Sequence, residues 1–268
     1  MKKAPIGVFD SGLGGLSVWK KIVELLPEES IWYYADSAHC PYGNRPAEEV
    51  IAFSHRITQQ LLSRGCKLIV VACNTATGLA IDELRATYEI PFVGMEPAIK
   101  PAAQRTQSGT IGVLATANTF RSAHFLQTQK EHSKGVEVLT TDARGLVDLV
   151  ENGQLTGEAT SALLQNYIQP MLEKGADQLV LGCSHYPFLI DTIQEIIAGK
   201  ATAVDPAPAI AQQTQRILQQ HQIQRSGSTP SEYHFVTSAK VQMLRIFVRQ
   251  IAQEGAWMRS RFWKDLTV

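Results

Sequence analysis

The chain has 268 residues, 44% of them hydrophobic, and its 25 lysines and arginines are balanced by 25 aspartates and glutamates. That length suffices for two modest domains or one large α/β unit with a well-buried core. The neutral balance gives no reason to expect nucleic acid or an anionic membrane as a partner, and the longest apolar runs are too short to span a bilayer.

The N-terminus, Met1-Lys2-Lys3-Ala4-Pro5, carries two lysines with no apolar signal core behind them. A cytoplasmic location is expected, where the four cysteines are free thiols rather than disulfides. Short apolar, β-branched runs predict strands over 6–9, 31–35, 68–72, 110–115, 136–140, 178–182, 202–204 and 233–236. Helical periodicity fills the intervals, over 16–26, 47–63, 77–88, 96–105, 119–132, 144–151, 158–173, 188–198, 207–220 and 240–253. Pro46, Pro97 and Pro187 stand near predicted starts, and Gly65 and Gly175 follow predicted ends. The alternation implies βαβ units, right-handed crossovers and mainly parallel sheets, an α/β fold. Asp205-Pro206-Ala207-Pro208 is a break that marks a crossing between domains, and the segment from Gln224 to Ser231 is the most loop-like. The final Trp257-Met258-Arg259-Ser260-Arg261-Phe262-Trp263-Lys264 mixes aromatic with basic residues. It reads as a docking tail, a contact in a homodimer, or a helix end folded onto the body.

Two cysteines occupy matching places. Cys73 closes the run from Leu68 to Ala72, and Cys183 closes the run from Leu179 to Gly182. They lie 110 residues apart; the paired runs beginning at Ile6 and Ile111 lie 105 apart. Similar offsets suggest two related half-units. Ligands of open parallel sheets bind beyond the carboxyl ends of the strands. The polar clusters there are Asp10-Ser11, Cys73-Asn74-Thr75, Thr116 with Thr119, and Cys183-Ser184-His185, joined by the loop Pro41-Tyr42-Gly43-Asn44-Arg45. Two thiols brought face to face across one ligand suit moving a proton off one side of a carbon and onto the other. A following helix N-terminus would lower a thiol pKa from about 8.5.

Other readings compete. A free cysteine is commonly just a buried small hydrophobe. Cys66 reads as structural, and Cys40, after His39, stays ambiguous. A zinc site is not expected, because no C-x-x-C pair exists. A cysteine hydrolase would leave the second thiol without a role. Asp10-Ser11-Gly12-Leu13-Gly14-Gly15 lacks the ending of a nucleotide P-loop. It reads either as a tight turn or as backbone N–H groups that bind an anion such as a carboxylate. Asp10 holds an ammonium group, steers a proton, or only caps a helix. His185 is a satisfied buried histidine or tunes Cys183. Glu151, at a helix end where the dipole disfavours an acid, hints at another role.

With these clusters in place, the chain resembles the glutamate racemases of the aspartate/glutamate racemase superfamily. The matching segments are Phe9 to Leu16, Ala35-Asp36 through Pro41-Tyr42-Gly43, Ala72 to Ala76, Val93-Gly94-Met95-Glu96-Pro97, and Leu181 to Pro187. The resemblance implies two pseudo-symmetric α/β domains with the active site in the cleft between them. The expected limits are 1–96 plus 206–268 for the first domain and 97–205 for the second. It implies interconversion of L- and D-glutamate without pyridoxal phosphate, any other cofactor or metal, supplying D-glutamate for peptidoglycan. By position, Cys73 and Cys183 are the acid/base thiols, assisted by Asp10, His185 and Glu151. Asp10, Ser11, Tyr42, Gly43, Asn74, Thr75, Ser184 and His185 hold the substrate by the same correspondence, and Thr116 and Thr119 join the substrate-binding set from their place in the strand-end clusters. Ser184 stands where the family commonly has threonine, which keeps the hydroxyl and loosens the pocket. No N-terminal extension of the kind associated with activation by a cell-wall precursor in some members is visible, so that regulation is not expected. An aspartate racemase, or a non-catalytic amino-acid sensor on the same scaffold, are the alternatives.

Overall fold

A computed structural model of the chain describes residues 2–226, 231–239, 241–254 and 263–267. The N-terminal part runs β1 (Ile6–Asp10), α1 (Leu16–Leu25), β2 (Ile31–Ala35), α2 (Ala47–Ser63), β3 (Leu68–Val71), α3 (Asn74–Thr87) and β4 (Phe92–Gly94). Then follow α4 (Ile99–Arg105), β5 (Thr110–Ala115), α5 (Ala117–Arg121), α6 (Ala123–His132), β6 (Glu137–Asp142), α7 (Leu146–Glu151), α8 (Glu158–Glu173), β7 (Gln178–Leu181), α9 (Ile190–Ile197) and β8 (Thr202–Val204). The chain ends with α10 (Ala207–Gln220), β9 (Tyr233–Thr237), α11 (Val241–Glu254) and β10 (Trp263–Thr267).

Two sheets result, ordered β10-β9-β2-β1-β3-β4 and β6-β5-β7-β8, with every pairing parallel. The inner strands β1, β3, β5 and β7 are buried throughout, which is why they read as unbroken apolar runs. The edge strand β6 is buried nowhere along its length. The two halves repeat one detail. Beyond the last strand pairs, Ala72 N–H donates to Phe9 O at 2.8 Å, and Gly182 N–H donates to Leu114 O at 2.7 Å. Cys73 and Cys183 therefore leave their sheets at equivalent points. Gly182 is needed for that approach, since a Cβ there would stand 2.8 Å from Leu114 O.

The chain's two ends pack together. Trp19 of α1 meets Tyr233 and Phe235 of β9 edge-on, with centroids 5.6 and 5.1 Å apart. A buried ion pair also joins the chain's two ends. Lys67 Nζ donates to Glu29 Oε2 at 2.7 Å, to Lys2 O at 2.9 Å and to Ile223 O at 2.8 Å. Arg225 N–H donates to the other Glu29 oxygen at 2.7 Å, so every charge in this cluster is met.

Several expected elements change. Phe92–Gly94 forms β4, a strand short enough, directly after Pro91, to carry no periodicity of its own. The expected helix over 119–132 is two helices, because Ser122 leaves the helical backbone and caps α6 by accepting from Phe125 N–H at 3.2 Å. The expected 96–105 helix begins only at Ile99, and 188–198 is a 3-10 turn over Tyr186–Leu189 followed by α9. Of the C-terminal aromatic segment, residues 257–262 lie outside the described residues, and Trp263 and Lys264 open β10. Residues 227–230 of the expected loop also lie outside them. Among the described residues no helix is long and apolar enough to cross a membrane.

Candidate active site

One small cavity lies between the sheets, and both Cys73 and Cys183 line it. Ser11, Tyr42, Gly43, Asn74, Thr75, Thr116, Ser184 and His185 line it with them. Asp10 lies just behind Ser184, Thr119 behind Thr75 and Thr116, and Glu151 behind His185.

Cys73 is the N-cap of α3 and accepts from Ala76 N–H at 3.4 Å; its thiol faces Ser11 Oγ at 3.8 Å. The helix expected over 77–88 thus begins at Asn74, directly beside the thiol. Asn74 is only 4% exposed, and neither its amide nitrogen nor its amide oxygen has a partner among the described residues. Buried amides are seldom left so, and this one faces the cavity, where a polar ligand would satisfy it. Next to it, Thr75 Oγ1 lies 2.9 Å from Thr116 Oγ1 and 3.4 Å from Thr119 Oγ1. These hydroxyls join α3 of the first half to the end of β5 in the second. Gly43 is required at the same seam, since a Cβ there would stand 2.6 Å from the Thr116 Cβ. Asn118 clasps the loop by donating to Tyr42 O at 3.1 Å and to Arg45 O at 2.8 Å. The Tyr42 hydroxyl donates to the buried Asp36.

The second thiol is held differently. Cys183 Sγ lies 3.7 Å from His185 Nδ1, and His185 Nε2 lies 2.7 Å from Glu151 Oε1. Glu151 Oε1 also accepts from Leu13 N–H at 2.6 Å. Asp10 accepts from Gly12 N–H and from Ser184 Oγ, each at 2.9 Å. The glycine-rich loop after β1 is therefore an anion-binding turn whose anion is the protein's own Glu151 carboxylate. The glycines make room for it. A Cβ on Gly12 would stand 2.1 Å from Glu151 Oε1, and one on Gly14 would stand 2.3 Å from His185 Nδ1.

Burial and neighbouring charge set the protonation states. Burial, then the charge of Asp10, pushes the Cys73 thiol far above its ordinary range, against the pull of the Ala76 N–H. The expected lowering by a helix N-terminus is overridden there by desolvation. At Cys183 no α-helix follows directly; α9 starts only at Ile190, and a side chain takes its place. Burial alone would depress His185, but Cys183, Cys40 and Glu151 outweigh it and hold the imidazole well above its usual pKa. The neighbours of Cys183 thus favour the protonated imidazole beside it. Burial raises Asp10, with His185, Gly12 N–H and Ser184 opposing.

One group at the site was left ambiguous by the sequence. Cys40 Sγ lies 3.9 Å from Ser11 Oγ, and burial pushes this thiol to about 12. Cys66 instead packs in the core of the first sheet, where burial pushes it to about 12.

These features define an α/β protein whose paired thiols line one cavity from two half-units, among hydroxyl, amide and imidazole groups. The sequence pattern of the Asp/Glu/Hydantoin racemase family matches residues 6–214. A glutamate racemase from Ectopseudomonas mendocina is 48% identical over 222 residues, covering 82% of this chain and 84% of that protein. A glutamate racemase isoform from Bacillus anthracis superposes with a TM-score of 0.85 at 31% identity, covering 99% of both chains. The Francisella tularensis glutamate racemase, solved in complex with D-glutamate, superposes with a TM-score of 0.84 at 26% identity, over 100% of this chain and 98% of that one. The chain belongs to the Asp/Glu/hydantoin racemase family, among the glutamate racemases.

Proposed function

We propose that this protein interconverts L- and D-glutamate by passing the α-proton between Cys73 and Cys183. The observation that carries the reading is the placement of two thiols, at equivalent strand ends of two half-units, on one cavity. One thiolate takes the α-proton while the opposing thiol delivers a proton to the other face, and the reverse direction exchanges their states. Because the α-proton is weakly acidic, donors must stabilise charge that develops on the α-carboxylate. Ser11, Asn74, Thr75, Thr116 and Ser184, with the Tyr42-Gly43 loop, supply donors in a largely buried site. Thr119 backs this set. His185, held by Glu151, tunes the Cys183 side, and Asp10, held by Ser184, acts through its charge on Cys73. The glutamate-bound Francisella relative supports the choice of substrate.

The reading calls on no metal or cofactor for the proton transfer. D-Glutamate made this way supplies peptidoglycan synthesis in the cytoplasm. We take the domains as 1–96 with 206–268, and 97–205, a division supported by which strands join each sheet. A homodimer is part of the proposal.

The test is incubation of metal-free protein with L-glutamate in D2O without added cofactor, followed by chiral analysis and α-deuterium incorporation. D-Glutamate carrying α-deuterium is expected. Exchange with aspartate alone would move the substrate assignment, and no exchange with either would leave only a binding protein.

A further inference from the structure

Cys40 stands at the site, yet the proton transfer gives it no task. Its Sγ, a carboxylate oxygen of Glu151 and a ring nitrogen of His185 all lie within 4.8 Å of one another. The three come from the loop after β2, the end of α7 and the turn after β7, so the fold alone assembles them. Thiolate, imidazole and carboxylate together form a donor set for zinc, with bonds of about 2.3 Å to sulfur and about 2.0–2.2 Å to nitrogen and oxygen.

The geometry needs small shifts only. Donors on a tetrahedral ion stand roughly 3.3–3.7 Å apart, as those bond lengths dictate. The 2.7 Å His185–Glu151 pair must open slightly, and the longer edges must close by about 1 Å. Two of the three donors are already oriented by groups behind them. Leu13 N–H holds the Glu151 carboxylate at 2.6 Å, and the Ser184 hydroxyl stands 3.4 Å from His185 Nδ1, leaving Nε2 turned to Glu151. Such outer contacts fix the ring and carboxylate of a metal ligand. His185 also lines the substrate cavity, so a fourth, open position would face it.

We propose that Cys40, Glu151 and His185 form a site for a thiophilic divalent cation, and that filling it reversibly stops proton transfer. Bonds form from the ion to Cys40 Sγ, His185 Nε2 and a Glu151 oxygen. The thiol proton of Cys40 and any proton on Nε2 leave to solvent. The ion stops turnover by breaking the His185–Glu151 hydrogen bond and by setting a dication next to Cys183. The site is an inhibitory one, distinct from any cofactor role.

The test uses the whole chain and two probes. Titrated with Co2+, the wild type is expected to develop one equivalent of a thiolate-to-cobalt charge-transfer band, which Cys40→Ser abolishes. This readout needs no turnover, so it stands or falls separately from the racemase assignment. Added Zn2+ is expected to inhibit racemisation reversibly, with full recovery on chelation. Measured against its own uninhibited rate, Cys40→Ser is expected to need about tenfold or more Zn2+ for the same fractional inhibition. Cys40→Ala, checked by circular dichroism, guards against a folding defect in the first variant. Inhibition that survives undiminished in both Cys40 variants, or a cobalt band that survives in both and vanishes on Cys73→Ser, would overturn the proposal in favour of an ion bridging the two acid/base thiols.

Discussion

Cys73 and Cys183 leave their sheets at equivalent points, yet their surroundings share almost nothing. Cys73 is met by a backbone N–H of α3 and by the Ser11 hydroxyl, groups that do not titrate near neutrality. Cys183 is met by His185, an ionisable group braced in turn by Glu151. Backbone repetition decides where the thiols stand, and the loops decide how each is charged. The consequence is a resting state with a built-in direction. Burial and Asp10 push the Cys73 thiol upward, while Cys183, Cys40 and Glu151 push the His185 imidazole upward against its burial. Enantiomers have equal free energy in water, so kcat/KM must be equal in the two directions whatever the asymmetry. Only kcat and KM taken separately can differ between L- and D-glutamate.

The largest effect comes from breaking either member of the pair. Cys73→Ser and Cys183→Ser are each expected to lower racemisation by about 10³-fold or more, since a serine hydroxyl neither ionises readily nor donates as well. The single remaining thiol still faces one side of the substrate. Each variant should therefore exchange α-deuterium, without inversion, into only one enantiomer, and into opposite enantiomers in the two variants. Exchange into the same enantiomer in both would contradict facing bases.

Gly14→Ala tests the His185 side without replacing a titrating group. Its new methyl falls 2.3 Å from His185 Nδ1, and 2.6 Å from the Ser184 hydroxyl, so the imidazole must move. A displacement of about 1 Å at a reacting group is expected to cost about 10²-fold in kcat. Thermal unfolding tells this from a folding defect. Next in size, His185→Asn should cost about 10- to 100-fold. Here kcat/KM must fall equally in both directions, while the ratio of the two kcat values changes; an unchanged ratio would mean that His185 serves both thiols alike.

Much of this site was legible before the fold was known. The apolar strand runs end abruptly in Cys73 and Cys183, and small polar residues follow at once. That is a local signal, and the 110-residue spacing makes it a paired one. What escaped was non-local. Nothing in the segment around Gly12 says that its backbone will bind Glu151, 138 residues along the chain at Leu13. Cys40 stayed ambiguous because its loop reaches the site only by folding over it. The break at Ser122 was hidden because the apolar pattern continues across it in helical register. The helix-dipole argument for both thiols failed for two separate reasons: desolvation at Cys73, and an intervening turn after Cys183.

The pH profile sharpens the contrast between the thiols. In the proposed transfer, activity needs one thiolate and one thiol, so it is expected to rise with pH through the first ionisation and fall through the second. Because Cys73 is pushed upward, it stays protonated as pH rises, and its loss as an acid comes only far above the ordinary thiol range of about 8.5. The alkaline limb of kcat/KM is therefore expected to be displaced upward. Burial is the main cause and Asp10 the second. Asp10→Asn removes that negative charge, so the limb should move to lower pH whatever happens to the maximal rate. A limb that stays in place would show that Asp10 does not act on Cys73 through its charge.

The smallest effect lies at the seam between the halves. Thr116 caps the five-residue α5 by accepting from Thr119 N–H at 3.4 Å, and its hydroxyl lies 2.9 Å from that of Thr75. Thr116→Val keeps the shape and removes the hydroxyl, at a cost of about 1 kcal/mol for the lost cap and hydrogen bonds. Neither thiol is touched, so that cost is expected to appear as a rise of about fivefold in KM for both enantiomers, with kcat nearly unchanged. Steady-state rates with L- and D-glutamate decide the matter. A large fall in kcat instead would mean that the hydroxyl bonds the substrate only as carbanion charge develops, which would move Thr116 from holding glutamate to stabilising the transition state.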